Sequence, residues 1–187
     1  MAIAMGRLIV ISAPSGCGKT TIVERLLERN KKWMRSVSYT TRPPRPGEES
    51  GKDYFFISQE EFRRKEQEGF FLESAEVFNH SYGTSKQFVM DRLASGRDVI
   101  LAVDIQGMKE IKKRVSGECE MVSIFIMPPS AQALKRRLMK RKTETKKEIA
   151  KRLEVAQQEM SERTLYDHVV VNRRVDQAVK AIEEVLK

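Results

Sequence analysis

Histidine and cysteine are almost missing from this chain, and with them most metal-ligating and thiol chemistry. The two cysteines, Cys17 and Cys119, have no zinc-ligand spacing and make no disulfide framework. The two histidines, His80 and His168, sit in no recognisable nucleophile or metal constellation, and His168 reads as bordering a strand. No apolar run approaches the length that crosses a membrane. Met1 to Gly6 is too short and too weakly apolar for a secretory leader. Internal repeats, low-complexity tracts and glycine-serine linkers are also absent, so the 187 residues are expected to make one compact domain with room for small mobile insertions. These absences lead to the expectation of a soluble protein of a reducing cytoplasm, without a membrane partner.

What the chain does have is concentrated near its start, in LIVISAPSGCGKTTIVERLL (Leu8 to Leu27). Leu8, Ile9, Val10 and Ile11 form the continuous apolar run of a strand buried on both faces, and Ile22, Val23, Leu26 and Leu27 share one face of a helix. Between them, Ala13, Pro14, Ser15, Gly16, Cys17, Gly18, Lys19 and Thr20 follow the phosphate-cradling pattern G-x-x-x-x-G-K-[ST], with Ala13 in place of the first glycine. Gly16 and Gly18 allow successive N–H groups to turn toward an anion, and the following helix points its positive end at the same spot. Lys19 then reaches the outer phosphates of a nucleotide and the Thr20 hydroxyl can ligate Mg²⁺. A methyl at Ala13 fits if the backbone there needs no positive φ, and Cys17 is most simply a small filler at a free position of the motif.

Net charge is +9, and most of the imbalance lies in one segment: Lys135 to Arg152 carries ten Lys or Arg against Glu144 and Glu148. Leu134 and Leu138 in this stretch should pack inward while its lysines form a solvated face. No aromatics are interleaved with the basic residues, which argues against a nucleic-acid surface.

The remainder alternates strand and helix. Ser58 with Glu61 makes a capping-box start to the charged helix from Gln59 to Glu68, and Gly96 is placed to end a helix beginning near Ser85. Asp98 to Asp104 and Met121 to Met127 read as buried strands, and a short strand at His168 to Val171 leads into a last helix, Val175 to Leu186. This alternation predicts an α/β fold of three layers, α/β/α, with a parallel core sheet. Ligands bind at the carboxyl ends of such strands, where both Lys19 and Asp104 fall. From Ser36 to Lys86 the pattern changes to short pieces rich in Thr, Tyr and Phe, broken by prolines, as in a small β-rich excursion.

The stretches TTRPPRPGE, GKDYFF, FLE, YGTS, VDIQG and KRKTETKKEIAKRL occur in this order over nearly the whole chain, and together the sequence resembles the guanylate kinases, P-loop enzymes that pass a phosphoryl group from ATP to GMP. The resemblance implies a P-loop core at residues 1–35, 87–130 and 164–187, a GMP-binding region at 36–86 and a helical lid at 131–163. It implies that Arg42, Arg45, Tyr54 and Tyr82 hold the acceptor phosphate and that Ser38, Glu73, Thr84 and Asp104 read the base. Arg141 and Arg152 of the lid would close over the donor phosphates, and Asn172 would lie by the adenine. Lys19, Arg42, Arg141 and Arg152 are then the catalytic cations, with ATP and GMP as partners and Mg²⁺ as cofactor. Use of dGMP and the oligomeric state stay open.

Elementary chemistry supports these roles. Guanine offers N1–H and N2 donors beside an O6 acceptor, so Glu73 and Asp104 can accept while Ser38 and Thr84 can donate. Adenine would leave such carboxylates unpaired at a cost of about 1–3 kcal/mol each. Arg42 and Arg45 present the guanidinium fork that grips two phosphate oxygens, on a turn stiffened by Pro43, Pro44 and Pro46. One departure from the family stands at Ala102, where an aspartate two residues before Asp104 is frequent, so the metal is expected to rest mainly on Thr20, the phosphates and water. The alternative reading is a guanylate-kinase-like interaction module without catalysis; such modules have eroded phosphate loops, whereas GCGKT is intact here.

Overall fold

The computed structural model describes residues 4–77, 79–140 and 146–187. The LIVIS run forms strand β1 (Leu8–Ser12), buried at every residue, and the loop after it feeds helix α1 (Lys19–Arg29), which turns Ile22, Val23 and Leu26 inward. Two-residue strands β2 (Met34–Arg35), β3 (Tyr39–Thr40) and β4 (Phe55–Phe56) follow. Helix α2 (Gln59–Gln67) starts where the Ser58 hydroxyl accepts the Glu61 N–H at 3.1 Å, as the capping signal predicts. Strands β5 (Phe71–Val77) and β6 (His80–Ser85) precede α3 (Lys86–Ala94), which Ser85 caps by accepting from the Phe88 N–H. The order continues through β7 (Val99–Ala102), α4 (Ile105–Arg114), β8 (Met121–Met127), α5 (Ala131–Lys140), α6 (Lys146–Ser161), a 3-10 turn at Glu162–Leu165, β9 (His168–Val171) and α7 (Val175–Val185).

The expected strand from Asp98 to Asp104 is shorter than its apolar pattern. Asp98 spends its carboxylate on Arg7, accepting from the backbone N–H at 2.8 Å and from the guanidinium at 2.9 Å. At the other end, the chain leaves the ladder after Ala102 and turns into α4.

Five strands form a mostly parallel sheet in the order β2-β7-β1-β8-β9, with β2 parallel to β7 and β8 parallel to β9. A second sheet runs β4-β3-β6-β5, in which β6 pairs antiparallel with both β3 and β5. This is the α/β class that the alternation of elements requires, with the β-rich excursion forming its own sheet.

The chain divides into two compact units. The first is Met1–Leu8, Lys32–Leu101 and Gln106–Met121; the second is Ile9–Lys31, Ala102–Ile105 and Val122–Lys187. Aromatic side chains hold the excursion within the first: Tyr39 stacks on Phe55 with centroids 4.7 Å apart, and Phe62 on Phe71 at 4.5 Å. The second unit is built on aliphatic burial. Ile124, Phe125 and Ile126 of β8 are fully buried, as are Leu134 and Leu138 on the inward face of α5. Helix α1 is tied to α7 by Glu183, which meets Arg29 at 3.1 Å and the Asn30 amide at 3.0 Å. Phe125 lies against Tyr166 with ring centroids 4.9 Å apart.

Because Phe125 is fully buried, Phe125→Ala should cost about 3–5 kcal/mol of stability, read from urea denaturation. A loss below about 1 kcal/mol would show that β8 is not a core strand.

Candidate active site

In the second unit, the end of β1 opens into the Ala13–Thr20 loop. Gly16 and Gly18 hold φ of 87° and 84°, conformations that favour glycine. A side chain would also be obstructed there: a Cβ on Gly16 would fall 2.8 Å from Leu138 Cδ2, and one on Gly18 3.0 Å from Asn172 Nδ2. Ala13 is not among the described residues with positive φ, which is why a methyl is tolerated in place of the usual glycine. Lys19 opens α1 with its Nζ donating to the Val103 carbonyl at 2.9 Å. Its charge is thereby held at the loop. The segment after β7 runs beside the end of β1, with the Val103 N–H donating to Ile11 O at 3.2 Å and Ser12 Oγ to Asp104 O at 3.3 Å.

Two further groups grip this loop, and a third braces one of them. Asn172 is buried; its Nδ2 donates to the Cys17 carbonyl at 2.8 Å, while its Oδ1 is buried without a hydrogen-bond partner among the described residues. Arg152 Nη1 donates to Ser15 Oγ at 2.9 Å. Arg137 Nη2 donates to the Asn172 carbonyl at 2.8 Å. Cys17 is buried, and burial pushes its thiol up to about 12, with the Arg137 charge opposing and the Glu159 charge adding to the rise. A thiol so placed is a space-filler and no nucleophile.

In the first unit, the residues expected to take the acceptor gather on the smaller sheet. Glu73 and Thr84 are directly paired across β5 and β6, so their side chains emerge on one face. Both are buried, and Thr84 Oγ1 donates to Glu73 Oε1 at 2.6 Å. The Thr84 hydrogen, expected to be presented to a base, is thus given to the carboxylate, leaving Thr84 to orient Glu73. Tyr82 lies two residues earlier on β6 and therefore on the same face as Thr84.

Arg42 follows β3 and is nearly buried. Its Nη1 donates to the Pro43 carbonyl and its Nη2 to Glu48 Oε1, both at 2.8 Å. Its guanidinium carbon lies 5.4 Å from the Tyr54 ring centroid and 5.8 Å from that of Phe56. The second Glu48 oxygen accepts the Arg45 backbone N–H at 2.7 Å, closing the proline-rich turn that leaves the Arg45 side chain exposed. Burial alone would lower the Arg42 guanidinium and raise the Glu48 carboxyl. Their mutual attraction, with the Tyr82 hydroxyl helping Arg42, outweighs burial, so Arg42 is raised and Glu48 lowered. Burial raises the neighbouring Tyr54 phenol, and Tyr82 adds to the rise.

The structure therefore brings Arg42, Arg45, Tyr54, Glu73, Tyr82 and Thr84 into the unit that also carries Ser38, whose carbonyl accepts the Phe55 N–H at 2.9 Å. Asp104 belongs to the phosphate-loop unit, where its charge acts on Glu159 and Tyr166. Arg141 lies outside the described residues. Among the described residues no group of three or more His, Cys, Asp or Glu could hold a metal ion, and Thr20 stands as an exposed hydroxyl in the first turn of α1. No helix among the described residues is long and apolar enough to cross a membrane.

Glu48, Arg137 and Glu159 were not singled out by sequence. Glu48 had a signal, as the acid three residues past Arg45 in a turn. Glu159 had one too, lying seven residues past Arg152 and so on the same helix face. Arg137 had none, being one of ten cations in its segment.

A family model described as guanylate kinase matches residues 5–187. The chain is 48% identical to the guanylate kinase of a Wolbachia from Brugia malayi, over 97% of this chain and 92% of that protein. It is also 48% identical to the guanylate kinase of Caldanaerobacter subterraneus, over 97% and 86%. The crystal structure of guanylate kinase from Anaplasma phagocytophilum superposes with a TM-score of 0.82 at 35% identity, covering 98% of this chain and 85% of that one. With the phosphate loop in one unit and the arginine and carboxylate cluster in the other, these matches establish that the chain belongs to the guanylate kinase family.

Proposed function

We propose that the chain is an active ATP:GMP phosphotransferase, taking the donor triphosphate on the Ala13–Thr20 loop and GMP on the smaller sheet. The observation that carries this reading is the buried Glu73–Thr84 pair, 2.6 Å apart, in the unit that holds the Arg42–Glu48 phosphate cradle. A buried carboxylate held by a hydroxyl is matched to the N1–H and N2 donors of guanine and mismatched to adenine, whose N1 is an acceptor.

In this reading residues 36–86 receive GMP and residues 131–163 form the lid over the donor. Arg42, Arg45, Tyr54 and Tyr82 hold the acceptor phosphate; Glu73, with Ser38 and Asp104, reads the base. Ala13 to Thr20 receive the donor phosphates, and Arg141 and Arg152 close over them. Asn172, having spent Nδ2 on the loop, offers its unpartnered Oδ1 to the adenine amino group. Cytoplasm, where both nucleotides are available, is the place of work.

The anionic GMP phosphate is already a nucleophile, so no general base is required. A phosphate oxygen of GMP attacks the γ-phosphorus, the bond to the β–γ bridging oxygen breaks, and ADP leaves. The protein's task is to hold two polyanions in line against their repulsion. Lys19, Arg42, Arg45, Arg141 and Arg152 supply the opposing charge, and those nearest the transferred group stabilise its transition state. The Thr20 hydroxyl fits a Mg²⁺ brought in with ATP and would hold it together with phosphate and water, and the ion would supply positive charge against the donor's anionic oxygens. Ala102, where an aspartate is frequent in the family, supplies no carboxylate to that shell. A closing lid would keep water from the γ-phosphate. The intact loop favours this reading over a non-catalytic binding module.

Three variants test it. Lys19→Ala should lower turnover by at least about 10²-fold with circular dichroism unchanged; near-normal turnover would remove Lys19 from the donor site. Arg42→Ala should raise KM for GMP by at least about tenfold while KM for ATP moves less than about twofold, since a charged hydrogen bond contributes about 1.5–3 kcal/mol. Equal effects on both substrates would place Arg42 outside the acceptor site. Glu73→Gln should lower kcat/KM for GMP by about 10–10²-fold and narrow its lead over AMP; unchanged selectivity would end the assignment of Glu73 as reader of the base.

A further inference from the structure

One acid beside the phosphate loop has no part in the scheme above. Glu159 lies seven residues, about two helical turns, beyond Arg152 on α6, so the two side chains share a face. Arg152 fastens that face to the loop through Ser15. Glu159 Oε2 is buried and has no hydrogen-bond partner among the described residues. The charges that act on the carboxylate come from Lys19 at the start of α1 and Asp104 after β7, and the Ser15 amide of the loop also faces it. The carboxylate acts in turn on Cys17 of the loop and on Tyr166 after the 3-10 turn. Arg137 and Glu162 complete the charged surroundings, acting on Cys17 and Tyr166 respectively. A negative charge is thus already present where the donor brings several more.

We propose that Glu159 is the internal anion of the donor site: it shares Lys19 with the incoming polyphosphate, so the donor binds the chain preferentially with the Glu159 carboxyl protonated. The proposal rests on the donor-site reading above.

Two charges of one sign in a partly desolvated site cannot both keep full use of one ammonium group. In the unliganded chain Lys19 attracts the carboxylate and holds its charge in place. When phosphate oxygens take up Lys19 and the loop amides, the carboxylate loses that attraction and gains repulsion, and both changes favour the neutral acid. Burial already brings the Glu159 carboxyl up to about 7, opposed by Lys19 and the Ser15 amide and reinforced by Asp104, so little further change is needed for it to take a proton near neutral pH. The sign follows from linkage: a pKa raised by the ligand means proton uptake on binding, with affinity highest below the unliganded value and falling as pH rises through it. Glu159 is accordingly a positioning residue that tunes Lys19 and touches no reacting atom.

The test is calorimetric titration of the full chain with Mg-ADP, in wild type, Glu159→Gln and Lys19→Ala, at about pH 6 and about pH 8, one unit either side of the Glu159 value. Glutamine keeps the size of the side chain and an oxygen for the Ser15 amide while removing the charge. A one-unit rise in the Glu159 value on binding predicts that Glu159→Gln binds Mg-ADP about fivefold more tightly than wild type at the higher pH, with the gap nearly closing, to below about 1.5-fold, at the lower. Comparing proteins on one ligand cancels the ligand's own titration. Wild type at neutral pH should also take up a proton, seen as a binding heat that differs between two buffers of unlike ionisation enthalpy; this measurement needs no variant. Equal affinity of wild type and Glu159→Gln at both pH values, uniformly weaker binding by Glu159→Gln as for a structural brace, or no proton uptake in wild type would overturn the proposal. Those results together with weakened binding by Lys19→Ala would remove the role of Glu159 alone. Unweakened binding by Lys19→Ala would remove the donor site itself.

Discussion

Cations assembled to grip a polyanion must be held in place before the polyanion comes, and on the proposed reading each unit of this chain does so with groups of its own. In one, the Arg42 guanidinium is fixed by Glu48 and the Pro43 carbonyl and lies near the Tyr54 and Phe56 rings. In the other, the Lys19 ammonium rests on the Val103 carbonyl and interacts with Glu159. Side-chain entropy that would otherwise be lost on binding is lost on folding instead, so more of the ligand's interaction energy remains for affinity and for the transition state. The cost is local competition, because a fixed carboxylate repels what its arginine or lysine must bind. Glu48, whose carboxyl is lowered, keeps its charge and orients Arg42; Glu159, whose carboxyl is raised to about 7, can surrender its own.

On the proposed reading, selectivity and reactivity fall on different groups. Glu73 and Thr84 sit buried on paired strands and form a rigid acceptor, with little to contribute to bond making. The phosphate loop is shaped by backbone and by the Asn172 amide, which fastens the Cys17 carbonyl. Phosphoryl transfer suits such a division. The nucleophile arrives already ionised on the substrate, and the protein contributes alignment and fixed positive charge.

Much of this was legible in sequence because periodicity and glycine placement are local signals. LIVIS became a fully buried strand, MVSIFIM and HVVV became strands at the expected residues, and Ser58 and Ser85 became caps. Ala13 was tolerable for the reason its backbone now gives. What escaped depends on contacts between residues far apart in the chain. That Thr84 gives its hydrogen to Glu73 follows from the β5–β6 register, which the pieces FLESAEVF and SYGTS do not reveal separately. Arg137 is one basic residue among many until β9 delivers Asn172 to it. Asp98 looked like strand and lies just before β7, where its carboxylate accepts from Arg7 while its carbonyl accepts the Met34 N–H at 2.9 Å.

The most direct measurement is ADP release by purified wild-type protein supplied with Mg-ATP and, in separate reactions, GMP, AMP, CMP or UMP. Rapid release with GMP, exceeding that with AMP by at least about 10²-fold in kcat/KM, is the result expected of a buried carboxylate reading guanine. Folded protein that releases no ADP with GMP, or that uses AMP equally well, would contradict it.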